Sequence, residues 1–364
     1  THPPDSMLSA PRTYTLSGKA GASRARPSVR VMDTTPDASR WDAIARGLSL
    51  RVGGTHAPAA VTLRILHRPT HRATGSAPPA SWTPAASDDR GTAWRTPAGT
   101  AWTCPGYTIE IPHDTTSATV SLATLQRAVT AHAFRQALTL LLPRVGWMPL
   151  HGAGICIPGG SSLPNAAPLA GERAVLLVGP SGCGKSTLTT GLLRRGWPCI
   201  SDDLLLFAPS DAPDTAPCAW SLTREIRLCP DAWQRFGFGD GEQDKAASLF
   251  GADASGTPKP VVPTHRFSAP PVSHGTPQCI VLPSIVDHAT SRLTPVSSTE
   301  ALPALLQQMQ PPALLPPAVA QTQLDRAAAL VRTCDVVRLE AGRDLYRDPG
   351  RLAIVLDDVL HPAA

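Results

Sequence analysis

"AVLLVGPSGCGKSTLTTGLLRRGWPCISDDLLLF", residues 174–207, decides how this chain is read. Ala174 to Val178 is a short apolar run bounded by Gly179, the pattern of a buried strand. Gly179-Pro180-Ser181-Gly182-Cys183-Gly184-Lys185-Ser186 then satisfies G-x-x-x-x-G-K-[ST], and Ser186 to about Arg195 has the composition of a helix. Strand, glycine loop and helix in that order are the context in which the motif is believed. Its glycines let backbone N–H groups turn inward around phosphate oxygens at the positive end of a helix dipole. Lys185 is then expected to reach the β and γ phosphates, and Ser186 to offer a hydroxyl to Mg²⁺. Cys183 and the neighbouring Thr187 complete the loop, Cys183 as a small filler.

The second half of the stretch says where a phosphate could go. Lys185 to Arg195 is about 16 Å of helix, Gly196 stops it, and the segment through Ser201 returns about 20 Å if extended. Asp202 and Asp203 therefore come back to the phosphate edge. Adjacent residues of a strand face opposite ways, so the two carboxylates divide the work. One faces the transferring group as a base for an incoming hydroxyl; the other supports metal, water or Lys185. The competing reading is a solvated acidic turn between "PCI" and "LLLF".

"LLVGPSGCGKSTLTTGLLRRGWPCISDD", preceded by "MPLHGAGICIP" and followed by "TREIRL", resembles the kinase core of the HPr kinase/phosphorylase family. The likeness covers about residues 145–230 well and the rest of the chain to 360 loosely. It implies an α/β fold: a P-loop kinase domain of the HPr kinase and phosphoenolpyruvate carboxykinase type, using ATP and Mg²⁺. Position by position, it implies that Ser186 and Glu225 hold the metal with Asp202 beside them and that Lys185 binds phosphate. Asp203 would accept the proton, and His151 would lie near the reacting phosphate. The family's additional arginine has no secure match, and Arg266 in "VPTHRF" is the candidate. Thr187 stands where the family has an acid, and "IPGGSSLPNAAPLAGER" is inserted before the loop. Those departures count against reverse phosphorolysis and against HPr as the acceptor. Relatives of this core phosphorylate a serine in peptide natural-product pathways, lasso peptides among them, and that role suits the altered chain better. Taken alone, His151 is more readily a core histidine than a catalyst, and Glu225 is as readily the ion-pair partner of Arg224 or Arg227.

Length and composition set outer bounds. The 364 residues allow two domains, and 42% hydrophobic with 17% charged residues suits globular folding. The 39 prolines cluster in "RPTHRATGSAPPASWTP", "APSDAPDTAP", "SAPPVSHGTP" and "QPPALLPPA" with no fixed period, which reads as loops. A net charge of +5 without a basic stripe gives no case for nucleic acid. Eight scattered cysteines without a C-x-x-C pair argue against zinc and against a disulfide framework. No apolar run is long enough for a membrane span, and "THPPDSMLSAPRTYTLSG" has no signal-peptide core, so a cytoplasmic setting is expected. Thr1 is not a start residue; Met7 is the candidate start, unless the first residues are foreign to the protein.

Along the chain, "SVRVMD", "LSLRVGG", "AVTLRIL" and "GYTIEIPHD" suggest an antiparallel β-rich domain over residues 1–120, of unassigned role. "SLATLQRAVTAHAFRQALTLLLPRVG" suggests a linking helix over 121–144, capped by Ser121 or Thr119, before the kinase domain at 145–364. The leading expectation is phosphotransfer from ATP to a serine hydroxyl of a peptide or protein, by a possible homo-oligomer. A sugar or nucleoside kinase, an ABC-type ATPase and a non-catalytic nucleotide-binding module stand beside it. The ABC reading wants a Leu-Ser-Gly-Gly-Gln signature that the chain lacks, and "AIVLDD" near its end is a poor imitation of that family's late acidic strand.

Overall fold

The computed structural model describes residues 12–16, 28–33, 50–52, 61–67, 78–88, 91–158, 173–209, 217–222, 226–238, 247–252, 258–262, 266–267, 269 and 272–360. The chain is a mixed α/β protein. The strand expected before the glycine loop is β11 (Arg173–Val178), and the helix after it is α2 (Lys185–Arg194). Its alternation is visible in burial. Ala174, Leu176 and Val178 enter one apolar cluster, Val175 and Leu177 the opposite one. Both faces are covered, so β11 reads as a continuous hydrophobic run.

Three parallel strands form the centre: β11, β18 (His274–Ile285) and β20 (Asp335–Ala341), with Leu177 paired to Val281 and Ile285 to Ala341. The antiparallel β10 (Met148–Cys156) joins β11 on one side and β13 (Leu204–Phe207) on the other. Gly152 of β10 is opposite Val178, and its N–H donates to the Asp203 carbonyl at 3.0 Å. The start of the glycine loop and the paired acids are thus fixed to neighbouring atoms of one strand. The short β12 (Cys199–Ser201), also on β10, carries the chain back to them, and Gly196 at φ +84° makes the turn before it.

α2 packs Leu188 and Leu192 on one face of this sheet, with Leu352, Leu356 and Leu360 of the last helix. On the other face, Ala301 and Leu305 of Ser298–Leu306 join Ala327, Leu330 and Val331 of Pro317–Thr333. The first helix is capped by Ser297, whose side chain and Glu300 satisfy each other's backbone donors.

The N-terminal half departs from expectation. Its nine-stranded sheet is mixed, because Ser28–Asp33 runs parallel to Val61–His67 and that strand parallel to Ser117–Leu122. Thr119 and Ser121 belong to this last strand rather than to a helix cap. The helix, α1 (Arg127–Leu141), starts later, and its N-cap Gln126 makes no side-chain cap bond. Nor does α1 merely link. Ala131, Phe134, Ala137, Leu138 and Leu141 share one core with Val61, Leu63, Ile109 and Val120 of the sheet, and with Leu204, Leu206 and Trp220 beyond it. β13 alternates, giving Leu204 and Leu206 to this core and Leu205 and Phe207 to the other. Burying each such side chain contributes about 1.5–3 kcal/mol, so the two halves hold one another in register.

Gly191 lies where α2 meets the Pro349–Arg351 turn. A Cβ there would stand 2.5 Å from the Pro349 carbonyl carbon and 2.7 Å from the Gly350 nitrogen. Alanine is about 1 kcal/mol better than glycine inside a helix, but backbone on the far side cannot swing away. Gly191→Ala is expected to lower stability by about 1–3 kcal/mol, read as a lower urea midpoint; a raised midpoint would show that the turn yields.

Candidate functional site

The carboxyl ends of the three parallel strands meet at a cleft of about 260 Å³, the edge where open α/β sheets take ligands. Ser181, Gly182, Cys183, Gly184, Lys185, Ser186 and Thr187 form its floor, and Asp202, Asp203, His151 and Arg227 stand at one end. Gly182 and Gly184 have φ of +86° and +95°, a region side chains avoid, and that conformation turns the chain tightly into α2. Gly179 and Pro180 contribute carbonyls, which accept from Lys185 Nζ at 2.6 and 2.9 Å. The ammonium is buried, and Cys183 Sγ lies 4.0 Å from it.

Asp202 and Asp203 sit in the bend between β12 and β13 and face different surroundings. Asp203 is clamped by cations. Its Oδ2 pairs with Arg135 of α1 and lies 2.5 Å from Arg227 Nη2, while Oδ1 lies 3.4 Å from His151 Nε2. Burial alone would raise its pKa and is the largest influence. Arg227, Arg135 and His151 together outweigh it and hold the carboxyl well below the usual range. Asp202 is 2% exposed and has no such clamp. Its Oδ2 accepts from the Arg227 backbone N–H at 3.1 Å, and its Oδ1 is buried without a hydrogen-bond partner. Burial pushes its pKa up to about 6, with Asp203 adding to the push and Arg227 and Ser186 opposing it.

His151 bridges from Asp203 to Gln308, whose Oε1 lies 3.2 Å from Nδ1 and whose carbonyl accepts the His151 N–H at 2.9 Å. Behind this bridge opens a second cleft, of about 200 Å³, which shares His151 and Asp203 with the first. Arg135, Gln136 and Thr139 of α1 form one wall, Gln307 to Pro311 another, and Ala86, Ser87 and Trp102 of the N-terminal sheet close it.

The glycine loop, Lys185, both acids and His151 are therefore brought together. Arg266 is not. It is exposed, its guanidinium carbon lies 6.0 Å from the Phe238 ring centroid, and it lines neither cleft. Glu225 lies outside the described residues. The arginines at the acids are Arg135 and Arg227 instead. Arg227 was visible in "TREIRL" only as a partner for Glu225; Arg135 had one signal, a cation set among the apolar residues of "AHAFRQALTLLL". Among the described residues no three His, Cys, Asp or Glu side chains gather to hold a metal by themselves. Among the described residues no cysteine is in a disulfide. No described helix is long and apolar enough to cross a membrane.

No protein-family model matches the chain, and no curated relative does. Among solved structures, the Hpr(Ser) kinase/phosphatase from Coxiella burnetii is similar over 58% of this chain and 95% of its own, with 11% identity and a TM-score of 0.28.

Asp202 yields a prediction whose sign can be worked out. With its pKa raised from 3.8 to about 6, the neutral carboxyl is favoured in the fold. That stability is fully present below about pH 4 and is lost as pH rises through about 6. Asp202→Asn keeps a neutral group at every pH. It should match the wild type near pH 4 and exceed it by about 3 kcal/mol above pH 7, measured by urea titration without divalent cations. A pH-independent difference would remove the raised pKa from the description of the site.

Proposed function

We propose that this chain is an ATP-dependent phosphotransferase that phosphorylates a hydroxyl, in the first instance a serine of a peptide or protein. The observation that carries the reading is the meeting of two clefts at Asp203 and His151, one floored by a phosphate-binding type of loop, the other lined by amides and hydroxyls. A P-loop takes the triphosphate through its N–H groups and the first turn of α2. Lys185, now bound to loop carbonyls, exchanges them for phosphate oxygens.

The orphaned Oδ1 of Asp202, with the Ser186 hydroxyl beside it, fits a divalent cation better than it fits a buried void. Ser186 and Asp202 would hold Mg²⁺, which neutralises phosphate charge; Glu225 remains a further candidate ligand. Asp203 faces the acceptor cleft, and its expected role changes with its partners. Two guanidinium groups make it a weak base, so it orients the incoming hydroxyl by accepting its hydrogen bond. The proton passes to Asp203 late, once the new P–O bond has formed, when even a weak base suffices, as a loose phosphoryl transition state allows. Arg135 and Arg227 keep the carboxylate aimed and stand ready to balance charge on the transferring group.

The second cleft, of about 200 Å³ and lined in part by Gln136, Thr139, Gln307 and Gln310, suits either a serine side chain from a longer peptide or a small polyhydroxylated acceptor such as a sugar.

Radiolabelled ATP with serine-bearing peptides, beside free sugars and nucleosides, separates these acceptors. Lys185→Ala should abolish transfer and weaken ATP binding; normal turnover would dismiss the P-loop. Asp203→Asn should slow transfer roughly 10²–10⁴-fold with ATP affinity little changed. Transfer at the wild-type rate by Asp203→Asn would return the acid pair to a structural role.

A further inference from the structure

Tyr346 and Ile285 are large apolar side chains left 59% and 65% exposed, and both line the cleft of the glycine loop. Ile285 ends β18. Tyr346 lies on α6 (Arg343–Arg347), just beyond the Ala341-Gly342 end of β20. Tyr346 is also held still. The Arg235 guanidinium carbon stands 3.6 Å from its ring centroid, Arg235 Nη1 lies 3.4 Å from the Tyr346 carbonyl, and Nη2 lies 3.4 Å from Asp231 Oδ2. With one ring face covered by Arg235, the remaining exposure is of the other face and the edge. An immobilised aromatic ring with a free face, beside an aliphatic side chain, is a stacking platform rather than a loose surface residue.

None of Tyr346, Arg235 and Ile285 is shared with the acceptor cleft, which meets the first only at Asp203 and His151. They line the loop cleft alone, with Ile285 Cδ1 4.0 Å from where a Cβ on Gly184 would stand. A nucleotide with its terminal phosphate toward Asp203 extends the rest of its length along the cleft they line. We propose that Tyr346, stacked on Arg235, and Ile285 seat the purine base of the nucleotide whose phosphates the 179–186 loop takes. The inference rests on the nucleotide reading above and adds to it the base-recognition site. The base stacks on the free face of Tyr346, with Ile285 lining the same cleft, and the Arg235 cation behind Tyr346 strengthens the stack.

The test compares Mg·ATP with Mg·tripolyphosphate, which carries the phosphates without a base, by calorimetric titration of the full chain. The wild type should bind ATP more tightly than tripolyphosphate. Tyr346→Ala should weaken ATP about tenfold, the order that base–aromatic stacking supplies, and leave tripolyphosphate unchanged. Tyr346→Phe and Tyr346→Trp should keep the wild-type preference, and the Trp fluorescence should be quenched by ATP and not by tripolyphosphate. Equal affinity of the wild type for both probes would overturn the base site while leaving the P-loop standing. So would a Tyr346→Ala protein that keeps its preference for ATP, or one that loses both probes equally. Binding of neither probe by the wild type would overturn the nucleotide reading itself, and this inference with it.

Discussion

A carboxylate taken out of water must be paired, and the pairing of Asp203 organises this molecule. Its three cationic or polar partners come from three separate places: Arg135 from α1, Arg227 from the strand after "TRE", and His151 from β10. Removing one partner of such a cluster leaves charge without compensation, which costs far more than the cluster contributes over an apolar core. The pairing therefore acts as a registration device, and it joins the N-terminal half to the glycine-loop half at the point where the two clefts meet. Asp202, one residue earlier, is buried more deeply and has only a backbone N–H and nearby groups to answer its charge. Two identical side chains thus have proton affinities pushed apart by their surroundings, the arrangement from which sites assign different tasks to like groups.

The sheet supplies the geometry that the charges exploit. β10 lies between β11 and β13, so the last residue before the loop and the bend carrying both acids are bound to consecutive residues, His151 and Gly152. Parallel order among β11, β18 and β20 opens their carboxyl ends on one edge. The N-terminal sheet is a wall of the second cleft and part of the central core, since Leu204, Leu206 and Trp220 pack among its residues and those of α1. A β-rich half with no motif of its own thus contributes both to a cleft and to the central core.

The sequence by itself determined the local elements around residues 174–207. Glycines at the loop, an apolar run before it, a helix-forming run after it and Gly196 at its end are all short-range signals, and β11, α2 and the return to Asp202 and Asp203 follow them. His151 was not legible in that way: an apolar strand offers a core histidine first, and only the resemblance of "MPLHGAGICIP" drew attention to it. What only the tertiary structure decided is which charges meet. Arg135 is 68 positions from Asp203, and nothing in a helix of that composition says that its one central cation points at an acid on another sheet. Arg266 looked eligible because loop position carries no distance information, and it turned to Phe238 instead. Parallel and antiparallel pairing in the N-terminal sheet were equally illegible, since strand periodicity is the same in both and only long-range contacts choose between them. Proton affinities followed from these meetings. Desolvation and neighbouring charge exist only once the chain has folded, so the difference between Asp202 and Asp203 could not be written in two adjacent identical letters.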